Sequence, residues 1–136
     1  MFRDFFEDLK VELAGVIPEV RIGVPKEDKD SKLEDTTVYI TFVNIENIDR
    51  QREIAVIRVL ITVFSPKAEG DQDQEEENEL AAIEAIDEIF MYLENNRRNY
   101  NLVATPENLI NNIWSALKIP LRPFLVYECP VKLSSQ

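Results

Sequence analysis

The sequence contains no histidine, a single cysteine and only three glycines. Without histidine, the chain lacks the commonest general base and the commonest metal ligand of proteins. Cys129 cannot form a disulfide within the chain, and its apolar, strand-like surroundings predict a buried structural thiol. Gly15, Gly23 and Gly70 are too scattered to build a loop that cradles phosphate. These absences favour a protein that is not an enzyme and has no cofactor.

Long apolar runs and an excess of basic residues are also missing. No stretch approaches the ~20 apolar residues that a membrane-spanning helix requires. The first residues are charged from Arg3 onward, so a signal peptide is not expected either. The net charge of −11 disfavours specific nucleic-acid binding, because an acidic surface repels phosphate. We therefore expect a cytoplasmic protein with no membrane partner and no specific nucleic-acid ligand.

An acidic stretch after residue 66 has the alternation of a calcium-binding loop but not its full pattern. Asp71, Asp73 and Glu75 alternate as calcium ligands do. The position that needs a glycine holds Glu76, and the position that needs the closing glutamate holds Ala82. The stretch therefore predicts a solvated loop that leads into the negatively charged first turn of a helix, and no metal site.

The strongest secondary-structure signal is the run of residues 52–65, which no glycine or proline interrupts. Its β-branched content and alternation predict a strand. One face is entirely apolar and is expected to be buried; it carries Ala55, Ile57, Val59, Ile61 and Val63. The other face is mixed and carries Ile54, Val56, Arg58, Leu60, Thr62 and Phe64.

A second strand is predicted at residues 36–45. Its residues 38–45 are predicted to pair antiparallel with residues 53–64, through a turn within residues 46–51. Both of its faces are apolar, which indicates a strand that is covered on both sides or that contacts another subunit. Apolar residues on the sheet face without helices would form a patch that a monomer rarely exposes. The candidate subunit-interface residues are Val38, Ile40, Phe42, Ile54, Val56, Leu60 and Phe64.

Two amphipathic helices complete the layer that would cover the sheet. Residues 2–13 carry phenylalanines and leucines at helical spacing, and Gly15 and Pro18 end the pattern. The phenylalanines could instead anchor a partner. Residues 74–94 form the main helix, whose predicted core stripe is Leu80, Ile83, Ile86, Phe90 and Leu93, broadened by Ala82 and Ile89.

The remaining segments complete the predicted fold. Residues 20–24 form a short strand, residues 26–35 and 66–73 are charged exposed loops, and residues 100–104 and 124–133 form the last strands. Pro130 lacks an N–H donor, so the last strand should be an edge or bulged there. The fold class is α+β: one domain over residues 1–136, with an antiparallel sheet of four to five strands that contains a long hairpin and packs against two helices.

These segments, in this order, resemble one known family. A helix precedes VRIGV and a charged loop; the hairpin VYITFVNIENIDRQREIAVIRVLITVFSP follows; then come the helix ELAAIEAIDEIFMYLENN, a tryptophan, an arm with two prolines and the strand PFLVYECPVKL. This arrangement is similar to the tail terminator (tail completion) proteins of long-tailed bacteriophages and prophages. The arm, residues 118–123, departs from those relatives, which tend to be richer in aromatic residues and glutamates there.

The resemblance implies a structural role. In that family, subunits form a ring, usually a hexamer, which ends tail-tube polymerisation and presents a surface to the head connector. DNA passes through its lumen. The expected partners are therefore further copies of this chain, the tail tube protein and the head connector. The expected location is the bacterial host cytoplasm during assembly and then the virion tail.

Charge distribution is compatible with self-association but does not require it. From Arg97 onward five basic residues accompany two acidic ones, so this stretch is net +3 and the rest of the chain is net −14. Such polarity suits head-to-tail contact between copies, although a solvated surface explains it equally well. The alternative hypothesis is a generic cytoplasmic α+β adaptor that pairs with proteins through exposed strands. A small-ligand-binding domain would need a pocket that the sequence does not indicate.

Overall fold

The computed structural model describes residues 1–24, 35–66, 71–104, 111–112, 115 and 122–133. The helices and strands follow the predicted α–β–β–β–α–β–β order. They are α1 (Phe2–Ala14), β1 (Glu19–Ile22), β2 (Thr37–Asp49), β3 (Ile54–Phe64), α2 (Gln72–Asn96), β4 (Asn101–Leu102) and β5 (Phe124–Lys132). The predicted α+β class, with two helices on a sheet of four to five strands, is confirmed: the described residues form two helices and a five-stranded sheet.

Parts of the two predicted loops and of the arm lie outside the described residues. These parts are residues 26–34 of the first loop, residues 67–70 of the second and residues 118–121 of the arm.

The long hairpin pairs as predicted and extends further. Thr37 lies opposite Phe64 at one end, and Asp49 lies opposite Ile54 at the other. Two bulges interrupt the ladder on β2, one between Phe42 and Asn44 and one between Ile45 and Asn47. Each bulge inserts an extra residue into one strand and increases its local twist.

The hairpin turn lies later than predicted, at residues 50–53 instead of within residues 46–51. The Asp49 carboxylate accepts hydrogen bonds from the backbone N–H groups of Gln51 and Arg52, both at 3.1 Å. Glu53 closes the turn with a positive φ of 56°. An aspartate that binds the N–H groups two and three residues ahead is a strong turn former, and this signal was missed.

The sheet is mixed instead of wholly antiparallel, with the order β1–β2–β3–β5–β4. β1 runs parallel to β2, so that Glu19 lies opposite Thr37 and Ile22 lies opposite Ile40. A parallel pair needs a connection long enough to return the chain to the same end of the sheet. The long segment between Ile22 and Thr37 allows this, whereas a short turn would have required antiparallel pairing.

Both helices cover the face of the sheet that was predicted to be buried. Residues of α1, α2 and this sheet face form one core; its β3 members include Ile57, Val59, Ile61 and Val63. Ala55 on the same face is also buried, so the predicted register of β3 is confirmed. The second face is buried only over part of its area, where it holds Leu60, Thr62, Phe64 and Val126.

α2 begins two residues earlier than predicted and turns a different stripe towards the core. Asp71 caps its N-terminus, and its carboxylate accepts a hydrogen bond from the Gln74 N–H at 3.1 Å. The buried residues are Ala82, Ala85, Ile89 and Leu93, whereas Leu80 and Ile83 are exposed. The predicted stripe is therefore wrong at Leu80 and Ile83. The small side chains of Ala82 and Ala85 occupy the side of α2 that faces the sheet, although Leu80 and Ile83 are more apolar.

β5 lies between β3 and β4 and is therefore not an edge strand along its whole length. The prediction of an open edge at Pro130 nevertheless agrees with the surroundings of that residue. β4 pairs with β5 only at Tyr127 and Glu128. At Pro130, the outer edge of β5 therefore has no partner strand among the described residues, and a missing N–H donor costs no ladder hydrogen bond there.

Candidate functional site

Four of the seven candidate interface residues are covered within the subunit. Val38 and Ile40 have no exposed surface and belong to the core between the sheet and the helices. Leu60 and Phe64 lie on the opposite face and are also buried. Because their side chains are already enclosed, these four cannot present the apolar patch that the sequence suggested.

The other three candidates, Phe42, Ile54 and Val56, lie towards the turn of the hairpin and keep part of their surface exposed. We call residues 42–56 the hairpin tip. It projects beyond the part of the sheet that includes β1, because β1 pairs with β2 only as far as Ile40. The exposed members of the predicted set therefore all lie at one end of the sheet.

The hairpin tip has an open edge along β2. The last contacts between β1 and β2 are a hydrogen bond from the Gly23 N–H to the Ile40 carbonyl and one from the Thr41 hydroxyl to the Gly23 carbonyl. Beyond them, the outer edge of β2 has no partner strand in the described part of the chain. Phe42, Ile45 and Ile48 on this segment are 42–44% exposed. An unpaired strand edge with exposed apolar side chains is a ready surface for another chain.

Beneath the tip, on the sheet face opposite the helices, lies a concavity of about 730 Å³. Two cross-strand rows form it: Asn47, Val56 and Pro130 in one row, and Asp49, Ile54 and Lys132 in the next. Arg52 and Asn99 complete the lining. We call it the tip concavity. Its floor is apolar, and exposed Arg52 and Lys132 stand at its rim.

A second groove, of about 470 Å³, lies between α1 and the outer strands. It is lined mainly by apolar residues: Phe2, Phe6, Ile22, Val24 and Phe42. The Phe42 ring packs 5.5 Å from the Phe2 ring and 5.8 Å from the Phe6 ring. Because Phe6 belongs to the core and Phe2 packs against it, the N-terminal phenylalanines serve chiefly the fold, and the partner-anchor hypothesis loses its main support.

The outward side of α2 is acidic along its whole length. Its acidic residues are Asp73, Glu75, Glu76, Glu77, Glu79, Glu84, Asp87, Glu88 and Glu94, and it contains no lysine or arginine. Leu80 and Ile83, which are 50% and 54% exposed, lie on this side between the carboxylates. We call the exposed set Glu76, Leu80, Ile83, Glu84 and Asp87 the α2 ridge.

Burial keeps the ionisable side chains of the described core in their neutral forms. Burial raises the pKa of Cys129 to about 12, so its thiol stays protonated at neutral pH and is a poor nucleophile. Burial likewise raises the pKa of Tyr127, whose hydroxyl donates to Glu94 at 3.3 Å. Among the described residues, no group of three or more His, Cys, Asp or Glu side chains is placed to hold a metal ion.

A half-buried ion network lies at the base of the tip. The Arg58 guanidinium lies 3.1 Å from Glu46 and 3.4 Å from Glu128, and so joins β3 to both neighbouring strands. It fixes the strands that carry the tip.

Within the described ranges, no helix is long and apolar enough to cross a membrane.

The fold is similar to solved structures of tube terminators. One is the sheath/tube terminator of an extracellular contractile injection system, PVC, in its extended state, with 19% identity and a TM-score of 0.61 over 99% of this chain. Another is the tube-terminating cap of the anti-feeding prophage, with 18% identity and a TM-score of 0.58 over 98% of this chain. No protein-family model and no curated protein sequence matches the chain.

This chain spans only 57% and 55% of the length of those two terminators. At such low identity the likeness is one of fold. At that level, the resemblance to tail terminators drawn from the order of segments is confirmed.

Proposed function

We propose that this protein is a non-enzymatic tail terminator, a structural subunit that forms a ring, ends tail-tube polymerisation and joins the tail to the head connector. The observation that carries the proposal is the similarity of fold, over nearly the whole chain, to two proteins that are themselves named as tube terminators. We take residues 1–136 as one terminator-like domain and six as the number of copies in the ring.

The surfaces of the subunit support assembly through unlike contacts. A ring needs a heterologous interface, in which one surface of a subunit meets a different surface of its neighbour. The open β2 edge and the tip concavity lie at one end of the sheet, and the α2 ridge lies on the helix layer. Both surfaces expose apolar side chains that a folded monomer would usually bury. These are Phe42, Ile45 and Ile48 on the open edge, and Leu80 and Ile83 on the ridge. Their exposure is consistent with contact to other chains.

The net charge of the subunit is consistent with a ring through which DNA passes without being bound. A ring of subunits that each carry −11 would repel phosphate at its inner wall, so that DNA could pass without being bound. In this proposal the partners are further copies of the chain, the tail tube protein and the head connector, with no membrane and no specific nucleic-acid contact. The protein would reach the virion tail from the bacterial host cytoplasm.

The two similar terminators are longer chains, so the proposal covers only the part they share with this protein. One of them is named as a sheath and tube terminator. We assign this chain to the tube end alone. The head-connector contact rests on the family resemblance of the sequence.

The test mixes the purified protein with its cognate tail tubes and images the tube ends by electron microscopy. We expect caps at one end and arrested elongation. An Ile45→Asp/Ile48→Asp variant, altered on the open edge of the tip, should cap fewer ends. Val11→Asp is the matched control, because Val11 is an exposed apolar residue on α1, away from the tip, and the variant should cap normally.

Unchanged tubes, together with a protein that remains monomeric at high concentration, would contradict the proposal. That result would favour the adaptor hypothesis instead.

A further inference from the structure

We infer that the α2 ridge of one copy binds in the tip concavity of the next copy. The inference rests on the proposed function, because it names the two surfaces through which the ring would close. It commits to a second copy of this chain as the occupant of the concavity.

The apolar parts of the two surfaces match. Leu80 and Ile83 are one helical turn apart on the outward side of α2 and are about half exposed. Ile54, Val56 and Pro130 form the floor of the concavity in two adjacent cross-strand rows. Its volume of about 730 Å³ is sufficient to receive side chains from one turn of a helix. Burying these residues together would remove apolar surface from water on both copies.

The charges at the edges of the two surfaces are complementary. The ridge carries Glu76, Glu84 and Asp87 on a helix without a basic residue. The rim of the concavity carries Arg52 and Lys132, both exposed. The rim also contains Asp49, which lies 3.7 Å from Arg52, so the lining of the concavity carries a net charge of +1 against the carboxylates of the ridge. Such a pair of surfaces favours association in one orientation.

The position of the surfaces prevents a subunit from satisfying its own sites. α2 packs on the first sheet face through Ala82, Ala85 and Ile89. Ile54 and Val56 alternate with the core residues of β3 and so point to the second face. The contact must therefore join different copies head to tail, and repetition of such a contact produces a closed ring or an open filament.

The groove beside α1 is a weaker partner for the ridge. Its charged residues, Arg3 and Glu7, form an ion pair at 2.9 Å, so the groove is close to neutral. It offers no charge complementary to an acidic helix.

Two double variants, each changed on one surface only, test the contact. The ridge variant is Leu80→Gln/Ile83→Gln, and the tip variant is Arg52→Glu/Lys132→Glu; the carboxylates that remain on the altered ridge repel the new glutamates of the altered tip, so these two surfaces cannot pair with each other. All four residues are exposed, so both variants should fold. Lys10→Glu/Val11→Lys on α1 is the matched control, because it combines one change of each kind, a reversed charge and a replaced exposed apolar residue, but touches neither surface.

Sedimentation velocity at the highest soluble concentration gives the readout. We expect the wild type and the control to associate beyond dimers, and each variant alone to associate at least tenfold more weakly. Mixed in equal amounts, the two variants should form a dimer and stop, because the ridge variant retains an intact concavity and the tip variant retains an intact ridge. Such arrested dimers are specific to a heterologous contact between these two surfaces.

Three outcomes overturn the inference: variants that associate like the wild type, a variant mixture that forms no dimer, or a wild type that stays monomeric throughout. Tube capping separates this failure from failure of the proposed function. If the wild type and both variants cap tubes equally, the terminator role stands and the assigned contact is wrong. If the variant mixture forms dimers while the wild type leaves tubes unchanged, the contact stands and the terminator role is wrong.

Discussion

The two halves of strand β3 have similar sequences and different surroundings. From Val59 to Phe64 every side chain is buried, on both faces of the sheet. From Ile54 to Arg58 burial alternates, and the residues on the second face stay half exposed. Both halves are rich in β-branched residues and suit a strand equally well. The difference therefore comes from what covers each half: one half is enclosed on both faces, and the second face of the other half is open to solvent.

The largest effect should come from a charge placed in the covered half. Ile61→Asp would put an unpaired carboxylate in the core and lower the free energy of unfolding by about 4 kcal/mol or more. Ile54→Asp, in the open half, should cost only about 1 kcal/mol, because its carboxylate stays in contact with water. Urea unfolding of the two variants measures the contrast. Equal losses would show that the tip is as tightly packed as the core.

Substitutions that remove side-chain volume on the second face should again distinguish the two halves of β3. Leu60→Ala should lower the free energy of unfolding by about 3 kcal/mol, because Leu60 is almost fully buried. Val56→Ala removes less side chain from a half-exposed position and should cost about 1 kcal/mol. Thermal unfolding followed by circular dichroism compares them. A Leu60→Ala variant as stable as the wild type would mean that this face is exposed in solution.

An acid-sensitive contact joins α1 to the C-terminal end of α2, the two helices that cover the first face. Arg97 binds Glu12 at 2.8 Å, and the Tyr92 hydroxyl donates to the same carboxylate at 2.7 Å. Burial raises the pKa of Glu12, but the hydrogen bonds from Arg97 and Tyr92 outweigh it and hold the pKa below its usual value. Because the folded pKa is depressed, the stabilisation is complete above about pH 4.5 and is lost as the pH falls through the folded pKa.

Glu12→Gln should therefore reduce the loss of stability below about pH 4.5 by about 1 kcal/mol at most, since Arg97 is partly solvated. Urea unfolding of wild type and variant across this pH range provides the measurement. Glu7→Gln is the control, because Glu7 pairs with exposed Arg3 on the same helix. Parallel pH profiles for all three proteins would refute the assignment to Glu12.

The smallest effect on stability is expected at the open edge. Ile48→Lys should change the free energy of unfolding by less than about 0.5 kcal/mol, because the side chain is exposed and contributes little to the core. The same variant should cap fewer tail tubes under the proposed function. A large loss of stability would place Ile48 in the fold and remove the basis for the comparison between the two ends.

Much of the fold could be predicted from the sequence because the local hydrophobic pattern agrees with the burial found in the structure. The alternation of Ala55, Ile57 and Val59 indicated one buried face, and the antiparallel register of the long hairpin followed from it. Helix α2 shows where pattern was insufficient. It carries apolar residues on more than one side, and periodicity alone placed Leu80 and Ile83 in the core, included Ala82 only as a broadening of the stripe and missed Ala85. Only the close approach of the helix to the sheet selects the small residues.

The candidate site was predicted less well for a related reason. Sequence alternation assigns Leu60 and Phe64 to the same face as Ile54 and Val56, and nothing local distinguishes the four. The tip concavity likewise combines residues that are far apart in the chain, such as Asn47, Val56 and Pro130. No local signal marked the concavity, and the acidic sequence of α2 indicated only a solvated helix.

By itself, the sequence determined the elements, their order, the inward face of β3 and the absence of histidine chemistry, because these depend on residue type and on spacing along the chain. The tertiary structure decided the parallel pairing of β1, the end of the sheet that stays open and the stripe of α2 that faces outward. Those features depend on which surfaces are covered by distant parts of the chain. Burial is a property of the packed molecule, and the sequence of a single strand or helix does not specify which distant element will cover it.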